Sequence, residues 1–189
     1  MSSESDFLAL FNTNVLGVVR TTQAVLPLMR TQKSGTIINI SSTSGLRGLP
    51  SVSAYAASKF ALEGMSEVLH GEYAEFGIRV ILVEPGPFRT NFLGDKARMT
   101  RPTSDFYLNT ATDTMLKTLE ASDGKQPGDP VKAAEQIFDY ALGQGLAQGL
   151  GQHLRLPLGN PAIKAARAKA ESLRENFEAV AEIAKVCDY

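Results

Sequence analysis

The stretch SSTSGLRGLPSVSAYAASK, residues 41–59, brings a hydroxyl, a phenol and an ammonium together where a strand hands over to a helix. Tyr55 and Lys59 stand four apart, and on a helix that spacing puts both side chains on one face. An isolated phenol titrates near ~10 and is a poor proton carrier at neutral pH unless a neighbouring cation favours its phenolate. Lys59 is placed to be that cation. A Tyr-x-x-x-Lys pair by itself reads as an exposed helix face, so the flanking segments decide.

Upstream, Gly35-Thr-Ile-Ile-Asn-Ile-Ser-Ser42 is a β-branched run that predicts a buried parallel strand over 36–41, with Ser42 at its carboxyl end. A helix is expected over 53–76, opening after Pro50 with Ser51 or Ser53 as cap and stopping at Gly77. Its small residues Ala54, Ala57, Ala61 and Gly64 predict a face that approaches a neighbour closely. Downstream, Ile78-Arg-Val-Ile-Leu-Val-Glu84 predicts a second buried strand over 79–84, ending at Pro85-Gly-Pro-Phe-Arg-Thr90. In an open α/β sheet, ligands bind beyond the carboxyl ends of the strands.

Four segments, Asn14-Val-Leu-Gly17, Ile38-Asn-Ile-Ser-Ser42, Tyr55-Ala-Ala-Ser-Lys59 and Pro85-Gly-Pro-Phe-Arg-Thr90, resemble in order and spacing the catalytic half of a classical short-chain dehydrogenase/reductase. The likeness is close over residues 7–93 and looser beyond. It implies an α/β fold, the C-terminal part of a doubly wound, Rossmann-like parallel sheet with about three strands and flanking helices. It also implies hydride exchange between NAD or NADP and a small-molecule alcohol/ketone substrate. By the same resemblance Asn14, Ser42, Tyr55 and Lys59 form the catalytic set. Tyr55 would be the general acid/base, and Lys59 would lower its pKa and hold the ribose hydroxyls. Ser42 would bond the substrate oxygen, and Asn14 would support a proton relay. Tyr55, Lys59, Pro85, Gly86, Phe88 and Thr90 would meet the cofactor, and helices 5–32 and 53–76 would build a homo-oligomer.

Composition narrows the alternatives. With 43% hydrophobic and 21% charged residues in 189, the chain has ordinary globular make-up and reads as a single partial domain. A formal net charge of −1 without a basic block gives no field for nucleic acid or an anionic membrane. Cys187 is the single cysteine, which suits a reducing, cytoplasmic setting, and two histidines, His70 and His153, make a metal cluster implausible. His70 reads as surface or helix-end chemistry. The segment MSSESDFLALF is acidic and lacks the layout of a signal peptide, and no apolar run approaches a membrane span.

Within 1–189, residues 7–93 read as the catalytic core, 94–129 as a substrate loop region, and 130–189 as a C-terminal helix-strand-helix unit. A long helix is expected over 5–32, capped by Ser5, with Pro27 ending or kinking its last turn. A short helix falls at 108–121, and the polar segment 91–129 reads as a lid or a surface loop. Asp129-Pro130 starts a helix running to Leu142, followed by a strand over 153–158 and a helix over 161–186.

Gly145-Leu-Ala-Gln-Gly149-Leu-Gly151 has the glycine spacing of a pyrophosphate-binding turn, yet such a turn leaves a strand and enters a helix. This one leaves a helix and enters a strand, so it is expected to be a Gly/Gln loop. No glycine finger or ribose-reading residue precedes Asn14. The alternative expectation is therefore a truncated, inactive remnant that acts through helix-mediated association, its three-strand sheet leaving an edge uncovered.

Overall fold

The computed structural model describes residues 2–94 and 104–187. Three parallel strands, β1 (Gly35–Ile40), β2 (Ile78–Pro85) and β3 (Arg155–Leu158), lie side by side in the order β1-β2-β3. The registers place Gly35 opposite Ile78 and Leu82 opposite Arg155. This is the three-strand α/β architecture that the strand pattern predicts. β2 occupies the centre and is buried on both faces: Val80, Ile81, Leu82 and Val83 have no exposed surface. Pro157 is accommodated because β3 is an edge strand with one side free of ladder bonds.

β1 differs from the buried strand expected at 36–41. Ile37 and Asn39 point inward, while Ile38 and Ile40 remain 38% and 49% exposed. Alternation of this kind belongs to a strand with one covered face, whereas the β-branched run Thr-Ile-Ile-Asn-Ile reads as buried on both faces.

Helix α1 (Glu4–Phe11) passes through one π turn, Asn12–Leu16, into α2 (Gly17–Gln32). Ser3, two residues earlier than the expected Ser5, is the N-cap. Its hydroxyl accepts from the Asp6 amide at 3.3 Å, and the Asp6 carboxylate accepts from the Ser3 amide at 2.7 Å, a complete capping box. Pro27 neither ends the helix nor marks its last turn; α2 runs on to Gln32 and stops where Lys33 turns left-handed at φ 51°. The Pro27 ring is exposed, so the carbonyl it leaves without an amide partner lies at the water side of the helix.

Helix α3 (Ser53–Tyr73) opens at Val52, and neither Ser51 nor Ser53 caps it through its side chain. Ser53 is engaged by the N-terminus instead, its hydroxyl accepting from the Ser2 amide at 3.2 Å. Close packing falls on Ala54, Ala56 and Ser58, the last fully buried, whereas Gly64 faces open space. Gly77 ends the helical segment at φ 66°, with a Cβ there falling 2.4 Å from the Lys33 carbonyl oxygen.

Beyond β2 come α4 (Ala111–Ser122) and α5 (Pro130–Leu142), which Asp129 caps by accepting from the Val131 amide at 2.9 Å. Residues 95–103 of the expected lid lie outside the described residues. The glycine-rich segment is a loop between α5 and β3, containing only the short 3-10 turn Gly145–Ala147. Helix α6 (Asn160–Lys185) closes the fold, burying Ala162 and Ala165 beside β3. No helix among the described residues is long and apolar enough to cross a membrane.

Candidate active site

The carboxyl ends of β1 and β2 and the first turns of α3 converge on Tyr55 and Lys59. Because the two are one helical turn apart, the Lys59 ammonium lies 5.7 Å from the centre of the Tyr55 ring. Lys59 donates to the Ile40 carbonyl at 2.8 Å, which ties the helix to the last residue of β1. Ser42, in the turn that follows that strand, lies beside the Tyr55 phenol and favours its ionised form against the effect of burial. The Ser42 hydroxyl accepts from the Ser44 amide at 3.1 Å, which fixes the serine side chain in that turn.

Asn14 joins from the π turn, a distortion that recurs at functional sites because it displaces one residue from the α-helical register. Its amide nitrogen donates to Ser58 at 3.0 Å, and Ser58 donates to the Tyr55 carbonyl at 2.8 Å. Asn14 therefore reaches the site through α3 backbone and a buried serine. Phe92 tilts against the Tyr55 ring, with centroids 5.6 Å apart and planes at 52°.

Of the residues expected to meet a cofactor, Pro85 and Gly86 lie at the end of β2, where the Gly86 amide donates to Leu158 at 3.0 Å. A Cβ on Gly86 would sit 3.3 Å from the Ala162 amide nitrogen. The Phe88 ring packs with the core around Ile81, Tyr140 and Leu158 and fills the space a Gly128 side chain would need. The Thr90 hydroxyl accepts from the Phe92 amide at 3.3 Å. Both side chains are thus occupied in holding the loop.

Burial moves the two titrating groups in opposite senses. It pushes the Tyr55 phenol up, against the hydrogen bond from Ser42, and pushes the Lys59 ammonium down, against the negative charge of Glu63. The net shift of Tyr55 is therefore upward: in the protein alone, desolvation outweighs the lowering expected from a neighbouring cation, and Tyr55 stays protonated. A neutral phenol is the form that can give a proton.

Sequence reasoning missed what lies under these residues. Glu63 accepts from Ser41 and from Arg155, Arg155 also donates to Glu84, and its second terminal nitrogen reaches Glu67 at 2.5 Å. Glu63 and Glu84 are buried. One cation facing three carboxylates in this setting leaves Glu84 pushed up to about 7, chiefly by desolvation. The available signal was the four-residue step Tyr55, Lys59, Glu63, Glu67 along one helix face. Arg155 had none, since only the fold brings it near.

The donor set suits a pair of vicinal hydroxyls such as those of a ribose. An ammonium has three N–H donors, and the bond to Ile40 uses one of those on Lys59, leaving donors for vicinal hydroxyls beside the phenol.

The chain matches the short chain dehydrogenase family over residues 1–101. It is 38% identical over 151 residues to the uncharacterized oxidoreductase YusZ of Bacillus subtilis, covering 79% of this chain and 52% of that protein. A short-chain dehydrogenase from Streptomyces avermitilis superposes with a TM-score of 0.84 at 37% identity, over 99% of this chain and 65% of the other. A short chain dehydrogenase/reductase from Burkholderia phymatum, solved in complex with NAD, superposes at 0.73 with 19% identity, over 93% and 61% of the two chains. The chain spans about half the length of the curated relatives it matches. Sequence and fold together place this chain in the short-chain dehydrogenase family.

Proposed function

We propose that this chain carries the proton-transfer site of an oxidoreductase that exchanges hydride between NAD or NADP and an alcohol/ketone substrate. The observation that carries the reading is a buried phenol beside Ser42 and one helical turn from an ammonium, at the carboxyl ends of parallel strands. The cofactor, when bound, supplies the hydride in reduction and accepts it in oxidation. Tyr55 gives its proton to the carbonyl oxygen of a ketone, and the Ser42 hydroxyl donates to the same oxygen as its negative charge develops. Lys59 stabilises the phenolate left behind, and Asn14, held by Ser58, supports the return of a proton toward Lys59. For an alcohol the steps run backwards.

The test is Tyr55→Phe, which keeps the ring and its contact with Phe92 while deleting the acid. NAD(P)H-dependent ketone reduction should fall by about 100-fold or more. Retained turnover would refute the assignment. The long helices leave Leu8, Leu16, Phe60 and Val68 exposed, which supports association of two copies through them.

A further inference from the structure

We propose that Glu63, locked by Arg155, is a positioning residue for the reaction proposed above: through Ser41 it fixes the turn that holds Ser42 against the Tyr55 phenol. The inference takes its chemistry from that reading and its geometry from the cluster beneath the site. Glu63 lies two helical turns beyond Tyr55 on the same face of α3. It acts on the residues either side of Ser42.

On one side, the Ser41 hydroxyl donates to one oxygen of Glu63 while the Ser41 amide donates to the Val83 carbonyl at 2.7 Å. On the other, Gly45 lies directly over the carboxylate. A Cβ there would fall 2.8 Å from the Glu63 Cγ, from its Oε1 and from the Ser41 hydroxyl. The Gly45 amide in turn donates to the Ser42 carbonyl at 2.8 Å. Ser42 is therefore bracketed by two neighbours that both rest on Glu63.

The other oxygen of Glu63 accepts from Arg155, so the carboxylate cannot rotate without breaking the bond to β3. The charged groups around it are Lys59 and Glu67 on α3, Glu84 on β2 and Arg155 on β3. Stability accounts poorly for such a cluster, because apolar residues of similar volume commonly stabilise a core as well or better than a buried ion pair. Geometric control of the turn accounts for it directly. Glu63 has a second effect, since its negative charge supports the ammonium form of Lys59 one turn away.

The experiment follows the Tyr55 phenol rather than turnover, in the full 189-residue chain. Tyrosine ionisation is recorded by ultraviolet difference absorbance, with Tyr55→Phe subtracted to isolate this residue. Ser41→Ala removes the tie to Glu63 and leaves the ionic cluster intact. The Tyr55 midpoint should rise, because the hydrogen bond from Ser42 that lowers it is loosened. Ser41→Thr, which keeps the hydroxyl, should return the midpoint to the wild-type value. Glu63→Gln should lower the Lys59 midpoint, read from lysine carbon NMR shifts. If Ser41→Ala reduces the thermal midpoint but leaves the Tyr55 midpoint unchanged, the cluster is structural and the proposal is overturned. The readout needs neither cofactor nor substrate. Its failure would leave the Tyr55→Phe result standing, and failure of hydride transfer would leave the phenol midpoints standing.

Discussion

The two edges of the sheet are built in opposite ways. At the β3 edge, Leu158 is buried, α6 brings Ala162 and Ala165 down beside the strand, and Arg155 reaches across β2 to α3. At the β1 edge, Ile38 and Ile40 are exposed, and Ile38 joins Thr13, Gly17, Val25 and Met29 in lining a groove of about 520 Å³. Ser42 lies two residues beyond the end of β1, yet its restraints come from the far side, through Ser41, Val83 and Glu63. The turn that carries Ser42 is thus restrained from the covered side, while the open edge holds Lys59 through the Ile40 carbonyl.

Breaking the covered edge should have the largest effect. Arg155→Met leaves Glu63 and Glu84 buried without their cation, and unfolding free energy in urea should fall by about 3–5 kcal/mol. A loss below about 1 kcal/mol would show that the arginine is not the fastener. A smaller effect sharpens the same point through pH. Folded Glu84 titrates at about 7, above the ordinary carboxylate value of 4.5, so between those values the folded chain holds a proton that the unfolded chain has released. That contribution is fully present below pH 4.5 and is lost as pH rises through about 7. Glu84→Gln should flatten this fall in urea midpoint. An unchanged slope would assign the titration elsewhere. The smallest expected effect lies at the other edge: Ile38→Lys should alter stability by no more than about 0.5 kcal/mol. It should also reduce concentration-dependent association in light scattering, as charge does on an edge strand. A large destabilisation there would mean that β1 is better covered than its exposure indicates.

What the sequence disclosed about this architecture depended on the range of each signal. The β2 run Val-Ile-Leu-Val and the Asp129-Pro130 start of α5 are local patterns with a direct physical meaning, and both elements fall where they predict. The Tyr55-Lys59 pair was legible for the same reason. Ser3 and Ser5 are both acceptable caps, and only the acidic partner three residues on distinguishes Ser3. The exposure of Ile38 depends on strand order, which the composition of a single strand does not encode. Glu63 and Arg155 stand 92 residues apart, so their pairing belongs to the tertiary fold alone. The net direction of the Tyr55 shift was not legible, because spacing reveals a neighbouring charge but not how much water the site excludes.

The widened turn at Asn12–Leu16 alters the phase of everything on either side of it. One residue of an α-helix subtends about 100° around its axis, so a single surplus residue rotates the contact stripe of α1 relative to that of α2. A single rod can then address two different surfaces: its first segment lies along α3 while its second lies along β1. The bend in phase falls at Asn14, the residue that must look toward α3 from the junction between them.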